Sequence, residues 1–148
     1  MFDELYQELV FEHAKSRHNR GELDEGLKCT LKNPLCGDEI CLCACFEENQ
    51  LAELKFNGEG CLISQAASSL LIDIAKRKSI PELREILTAY KDLLSAEQKS
   101  VPEQMLGELV MLAGVSKFPS RVRCALLAAE ALERVLDERE RALASTLS

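Results

Sequence analysis

The spacing of apolar residues changes character at Cys61. Before it, short runs near 26–32, 38–46 and 50–57 read as strands. The last two are joined across Glu47-Glu48-Asn49, a polar connection short enough for an antiparallel hairpin. After it, Leu62, Ile63, Ala66, Ala67, Leu70, Leu71, Ile74 and Ala75 recur at helical spacing, with Ser64, Gln65, Ser68 and Asp73 on the other face. Strands gathered early and helices gathered late predict an α+β fold: a small three-stranded antiparallel sheet with helices packed on one face.

The flanking segments extend this pattern. Phe2, Leu5, Tyr6, Leu9, Val10 and His13 recur at steps of three and four, so residues 2–16 read as an amphipathic helix, with Asp3 and Glu4 in its first turn, followed by a turn at Asn19-Arg20-Gly21. Ser79-Ile80-Pro81-Glu82 and Ser100-Val101-Pro102-Glu103 both carry the Ser-x-x-Glu capping box with Pro in the first turn. Helices are therefore expected near 81–94 and 102–113, the second stopped by Gly114. A last long helix from Pro119 or Ser120 should turn Val122, Ala125, Leu126, Ala129, Leu132 and Leu136 inward, with fraying beyond Arg141. No repeat, low-complexity stretch or linker interrupts the chain, so residues 1–148 are expected to form a single domain.

Charge and composition exclude several roles. The 148 residues hold 18 Lys plus Arg against 25 Asp plus Glu, a net charge of −7 with no basic block, which argues against nucleic acid as a partner. The longest apolar run, Ile40 to Phe46, is far below the ~20 residues of a bilayer-spanning helix. The start, Met1-Phe2-Asp3-Glu4, lacks the cationic and apolar regions of a secretory signal. Seven cysteines cannot all pair within one chain; with no signal in view, they point to a reducing cytoplasm where thiols serve as packing groups, metal ligands or nucleophiles.

The cysteines divide by context. Cys41, Cys43 and Cys45 alternate along the second strand, where side chains two apart sit about 6–7 Å apart; one tetrahedral zinc cannot take three such thiolates without breaking the strand. They read as small sheet residues, as does Cys29 on the first strand. Cys36, Cys61 and Cys124 instead lie at element ends. Cys36 sits in Pro34-Leu35-Cys36-Gly37-Asp38, where Gly37 lets the chain bend so that a thiolate and the Asp38 carboxylate converge. Cys61 follows Gly58-Glu59-Gly60 and opens a helix, whose unpaired N–H groups stabilise a thiolate. Cys124 follows Arg121-Val122-Arg123, again beside positive charge. Three thiolates and Asp38 suffice for a closed Zn²⁺ site or an iron–sulfur cluster. Spacing alone leaves that reading beside a plainer one, three separate buried cysteines and a turn aspartate. His13 reads as packing and His18 as loop surface.

Asn33-Pro34-Leu35-Cys36-Gly37-Asp38, Gly58-Glu59-Gly60-Cys61-Leu62-Ile63-Ser64-Gln65-Ala66 and Phe118-Pro119-Ser120-Arg121-Val122-Arg123-Cys124-Ala125-Leu126-Leu127 resemble, in order, the three cysteine motifs of the NifU N-terminal/IscU-like iron–sulfur cluster assembly family. The stretch His13-Ala14-Lys15-Ser16-Arg17-His18-Asn19-Arg20-Gly21 is similar to that family's His-x-x-x-Pro-x-Asn-x-Gly segment, with Arg17 in place of Pro. The scaffold branch has a Leu-Pro-Pro-Val-Lys chaperone motif and a His before its third Cys. Here Phe118-Pro119-Ser120-Arg121 and Arg123 stand instead, and a long insert, Ser79 to Gly114, separates the second and third cysteines. Both departures match the SufU-type branch.

The resemblance implies that Cys36, Asp38, Cys61 and Cys124 hold one Zn²⁺. It implies that Cys36 accepts persulfide sulfur from a cysteine desulfurase, a SufS-like pyridoxal phosphate enzyme, for a downstream iron–sulfur scaffold or apo-proteins. Gly37 and Gly60 would support the site; Arg121 and Arg123 would either steady a thiolate or face solvent. A second reading keeps the ligands but makes the chain a scaffold for a [2Fe–2S] cluster or iron. A third makes it a zinc-stabilised interaction module without sulfur chemistry.

Overall fold

The computed structural model describes residues 4–34, 37–95, 97 and 100–147, the side chains of 4–6 and 146–147 excepted. Phe2, Leu35 and Cys36, and the side chains of Leu5 and Tyr6, thus lie outside the described residues. Helix α1 (Glu4–Lys15) leads into strands β1 (Leu27–Lys32), β2 (Glu39–Glu47) and β3 (Gln50–Glu59). Helices α2 (Leu62–Ala75), α3 (Ile80–Leu93) and the one-turn α4 (Glu103–Leu106) follow. A 3₁₀ stretch, Gly107–Lys117, then precedes the long α5 (Pro119–Leu147).

The sheet is antiparallel in the order β1-β2-β3, with Glu48 (φ 56°) and Asn49 turning the predicted hairpin. Cross-strand pairing of Leu27 with Ala44, Cys29 with Leu42 and Leu31 with Ile40, and of Leu42 with Phe56, gathers the apolar residues on one face. Ile40, Leu42, Ala44, Leu54 and Phe56 are fully buried there. Helix α5 lies against β1 and β2, α2 against β3, and α1 covers α2. The free side of β3 is itself paired near both ends. The Phe56 N–H donates to Asn19 O and Phe56 O accepts from the Gly21 N–H; likewise the Leu51 N–H donates to Lys78 O and Leu51 O accepts from the Arg77 N–H.

Ser79 and Glu82 form the predicted capping box at α3. The matching box at Ser100 does not form: the cap position is Pro102, with no side-chain cap bond, and α4 ends after one turn at Gly107 (φ 53°), which is packed closely against Ile74. Leu106, Leu109, Leu112 and Val115 are all buried, and their spacing of three is that of a 3₁₀ helix, in which residues three apart eclipse. The chain thus runs through Gly114 to Lys117 as a 3₁₀ stretch, not as the expected α-helix. Fraying beyond Arg141 is also corrected, since α5 continues to Leu147. Its distal half is held by Arg84, which donates to Asp137 and Glu140 at 2.7 and 2.9 Å, and by Arg139, which donates to Glu48 O at 3.0 Å.

The polar face expected on α2 is not a solvent face. Ser64, Gln65, Ser68 and Ser69 are buried. Two of the hydroxyls bond within the helix, Ser64 Oγ donating to Cys61 O and Ser68 Oγ to Ser64 O, while Gln65 Oε1 accepts from Arg20 in the turn after α1. Tyr90 of the insert is fully buried and donates its hydroxyl to Ala125 O at 2.7 Å, tying α3 to the residue after Cys124.

Candidate metal centre

Three elements deliver one ligand each to a single point at the edge of the core. Asp38 precedes β2, Cys61 is the N-cap of α2, and Cys124 lies in the first turns of α5. Their ligand atoms lie within 4.8 Å of one another. Asp38 and Cys124 are buried, and Cys61 is half-buried. Cys36, the fourth expected ligand, lies outside the described residues.

Backbone groups set the Asp38 carboxylate. The Cys61 N–H donates to Oδ1 at 2.8 Å, leaving Oδ2 3.5 Å from Cys61 Sγ. The loop before it is closed by Asn33 N–H donating to Asp38 O and Gly37 N–H donating to Asn33 O, both at 2.8 Å. Gly37 adopts φ 76°, a conformation that favours glycine. Gly60 is required for space: a Cβ there would lie 2.6 Å from both Asp38 Oδ1 and Ser64 Oγ.

The thiols are held similarly. The Ser64 N–H donates to Cys61 Sγ at 3.5 Å, so the thiol takes the part a serine or aspartate oxygen usually plays at a helix start. Cys124 Sγ lies 3.7 Å from Ser120 O and receives the Asn33 side-chain N–H at 3.9 Å. Asn33 is 5% exposed. Only its place in the first cysteine motif marked it in the sequence.

The donor set fits a zinc ion. Two sulfurs and a carboxylate oxygen converge, and the 3.5 Å between Cys61 Sγ and Asp38 Oδ2 matches the separation of about 3.6 Å between tetrahedral donors with bonds of roughly 2.0–2.3 Å. Soft sulfur ligands also suit iron–sulfur chemistry.

Beside Cys61 opens a groove of about 700 Å³ lined mainly by apolar side chains, among them Phe11, Leu62, Ile63 and Phe118, with Arg121 at its rim. Phe11, Leu62 and Phe118 are the large apolar residues most exposed among those described; their exposure was not foreseen from the helical pattern. Arg123 is exposed. The histidines are more polar in their contacts than expected. His13 Nδ1 is 3.5 Å from Ser69 Oγ and its Nε2 3.2 Å from Glu108, while His18 Nε2 is 2.8 Å from Asp73. No described helix is long and apolar enough to cross a membrane.

Comparison with known proteins adds to this geometry. The family described as NifU-like N terminal domain matches residues 5–125. The iron-sulfur cluster assembly scaffold protein IscU of Streptococcus pyogenes serotype M1 is 36% identical over 132 residues, 89% of this chain and 82% of its own. The zinc-dependent sulfurtransferase SufU of Bacillus subtilis is 33% identical over 138 residues, 93% of either chain. A crystal structure of a putative iron-sulfur cluster assembly scaffold protein for the SUF system from Fervidobacterium islandicum superposes with a TM-score of 0.83. It is 29% identical, over 87% of this chain and 94% of that one.

Proposed function

This chain belongs to the family of NifU-like N-terminal domains, and from that premise we propose that it serves iron–sulfur cluster assembly as a zinc-dependent acceptor of persulfide sulfur from a cysteine desulfurase. The observation that carries the reading is the convergence of Asp38, Cys61 and Cys124, from three elements, within 4.8 Å. Cys36 is two residues from Asp38 and is the proposed fourth ligand. A Zn²⁺ ion on these four residues keeps thiols deprotonated at neutral pH.

The chain's residues then divide the work. The Cys36 thiolate attacks the outer sulfur of the desulfurase persulfide; the S–S bond of that persulfide breaks, the desulfurase cysteine leaves as a thiolate, and Cys36 becomes the persulfide. No electrons are gained or lost overall. Asp38, pinned by the Cys61 N–H, holds a carboxylate oxygen toward the thiols, and the start of α2 supplies the N–H that supports Cys61 as a thiolate. The groove beside Cys61, with exposed Leu62 and Phe118 and a cation at Arg121, offers the approaching enzyme an apolar seat.

Metal analysis of protein purified without reconstitution tests this. About one zinc per chain and no visible colour is expected; a brown protein holding iron and sulfide would replace the reading with the cluster scaffold. With zinc found, added desulfurase and cysteine should release sulfide faster in the presence of the chain, and Cys36→Ala should abolish the gain. No stimulation by the wild type would leave only an interaction module.

A further inference from the structure

Lys15, Arg17 and Arg20 take no part in the proposed sulfur chemistry. With Gly21 and Asn57 they line a cavity of about 510 Å³ at the outer edge of β3, where the chain arrives from α1. No carboxylate is among its lining residues, in a chain whose acidic residues outnumber its basic ones by 25 to 18. None of the three cations is in an ion pair among the described residues, although Lys32, Arg84 and Lys91 each are. Gathering like charges costs stability through self-repulsion, and an anion seated among them would remove that cost.

The backbone fixes these charges in place. The Arg20 N–H donates to Arg17 O at 3.1 Å, closing a tight turn with the two arginines at its ends. Asn19, at φ 69° and 1% exposed, anchors that turn to α2. Its Nδ2 donates to Ser69 O at 3.0 Å and to Asp73 at 2.8 Å, and its Oδ1 accepts from Lys76 at 2.9 Å. The Arg20 guanidinium is held as firmly. Nε donates to Ser16 O and Nη2 to Ala14 O, both at 3.1 Å, Nη2 also donates to Gln65 Oε1, and the group lies 4.7 Å over the Phe56 ring. These bonds close the C-terminal end of α1, but every acceptor lacks a formal charge, so the cation is positioned without being neutralised. Nη1 makes no hydrogen bond among the described residues. Lys15 Nζ rests 4.1 Å from the centre of the Phe11 ring, and Arg17 is exposed.

We propose that Lys15, Arg17 and Arg20 form a binding site for a polyphosphate group, carried either by inorganic pyrophosphate or by a nucleoside diphosphate. Three cations around one cavity suit a multiply charged oxyanion better than a single carboxylate, and the planar fork of arginine matches phosphate oxygens. Asn57 adds a neutral amide to the lining. The volume lies within the range of small-molecule pockets, about 300–1,000 Å³. No aromatic or aliphatic residue lines the cavity to receive a base, so recognition rests on the phosphates. The net charge of −7 repels polyanions at long range, so affinity has to come from these local contacts. The site does not depend on the proposed sulfur-acceptor role.

Nuclear magnetic resonance titration of the isotope-labelled chain, as purified, with sodium pyrophosphate and separately with ADP tests it. The amide signals of Gly21 and Asn57 should move with saturable binding, and equal affinity for the two ligands is expected. Lys15→Gln and Arg17→Gln, at exposed positions where folding is not at stake, should each raise the dissociation constant about tenfold or more. Lys28→Gln, which removes the same charge from an exposed position on β1, should leave it unchanged. Pyrophosphate binding alone would support the site and confine it to the inorganic ion; ADP binding alone would overturn the assignment to the phosphates. Unmoved Gly21 and Asn57 signals, or equal weakening by Lys28→Gln, would overturn the site. So would movement confined to residues around Asp38, Cys61 and Cys124, since pyrophosphate would then be acting on a bound metal.

Discussion

Cys61 meets Asp38 twice: its backbone N–H holds Oδ1 at 2.8 Å, and its thiol lies 3.5 Å from Oδ2. One contact orients the carboxylate and the other presents it, so the two can be separated by mutation. Asp38→Asn keeps an acceptor for the N–H but loses the anionic ligand; zinc retention in a chelator competition should fall while the metal-free melting temperature stays near wild type. Asp38→Ala removes both and should also cost about 1 kcal/mol, lowering the metal-free melting temperature by roughly 2–4 °C. Equal zinc affinity in both variants and wild type would remove Asp38 from the ligand set.

Gly60→Ala reaches the same carboxylate indirectly. Gly60 has no left-handed φ to preserve, so the added methyl acts by contact with Asp38 Oδ1 and Ser64 Oγ. Displacing an oriented ligand should weaken zinc binding about 10–100-fold with little change in far-ultraviolet circular dichroism. Wild-type zinc retention would show that the carboxylate is free to move.

Leu62 and Phe118 are each 45% exposed beside the centre, so their removal should leave stability alone. Leu62→Ser and Phe118→Ser are expected to raise the chain concentration needed for half-maximal stimulation of the desulfurase, with zinc content unchanged. An unaltered titration curve would move the docking surface elsewhere.

Alkaline pH should weaken the fold through the sheet thiols. Burial pushes the Cys29 and Cys43 thiols up, with the neighbouring Cys41 adding to the rise at both. The folded chain thus holds these protons more tightly than the unfolded one. Their contribution to stability is intact below the ordinary thiol value, roughly 8.5, and is lost as pH climbs from there through the raised folded values. Denaturation midpoints measured under reductant at about pH 7 and about pH 9 should differ, and by less in the Cys29→Ala/Cys43→Ala double variant. An identical pH slope in that variant would assign the loss to other groups.

Where local chemistry decides structure, the sequence was readable. Glu48 and Asn49 turn the hairpin, Ser79 and Glu82 cap α3, and the three motif segments bring Asp38, Cys61 and Cys124 together. Where tertiary contact decides, it was not. The second Ser-x-x-Glu looked equivalent to the first, but Gly107 packs against Ile74 and turns the chain after one turn. The three-residue spacing from Leu106 to Val115 was the overlooked signal. Ser64, Gln65 and Ser68 looked like a wet face because serine is polar; on a helix its hydroxyl can bond to its own backbone, and α1 is free to cover it. Helical spacing likewise cannot tell a core leucine from one such as Leu62 that borders a groove.

The pairing along β3 bears on how the molecule behaves in a crowd of its own copies. Unsatisfied strand edges are templates on which other chains can add. Residues 19–21 and 77–78 already occupy the outer side of β3 near Phe56 and Leu51, so the longer boundary of the sheet is interrupted as a template. The opposite boundary, β1, is only six residues long and carries Lys28 and Lys32, whose charges repel a like strand. A chain with several partly exposed thiols is thereby denied a main-chain route by which copies would be brought close enough to cross-link.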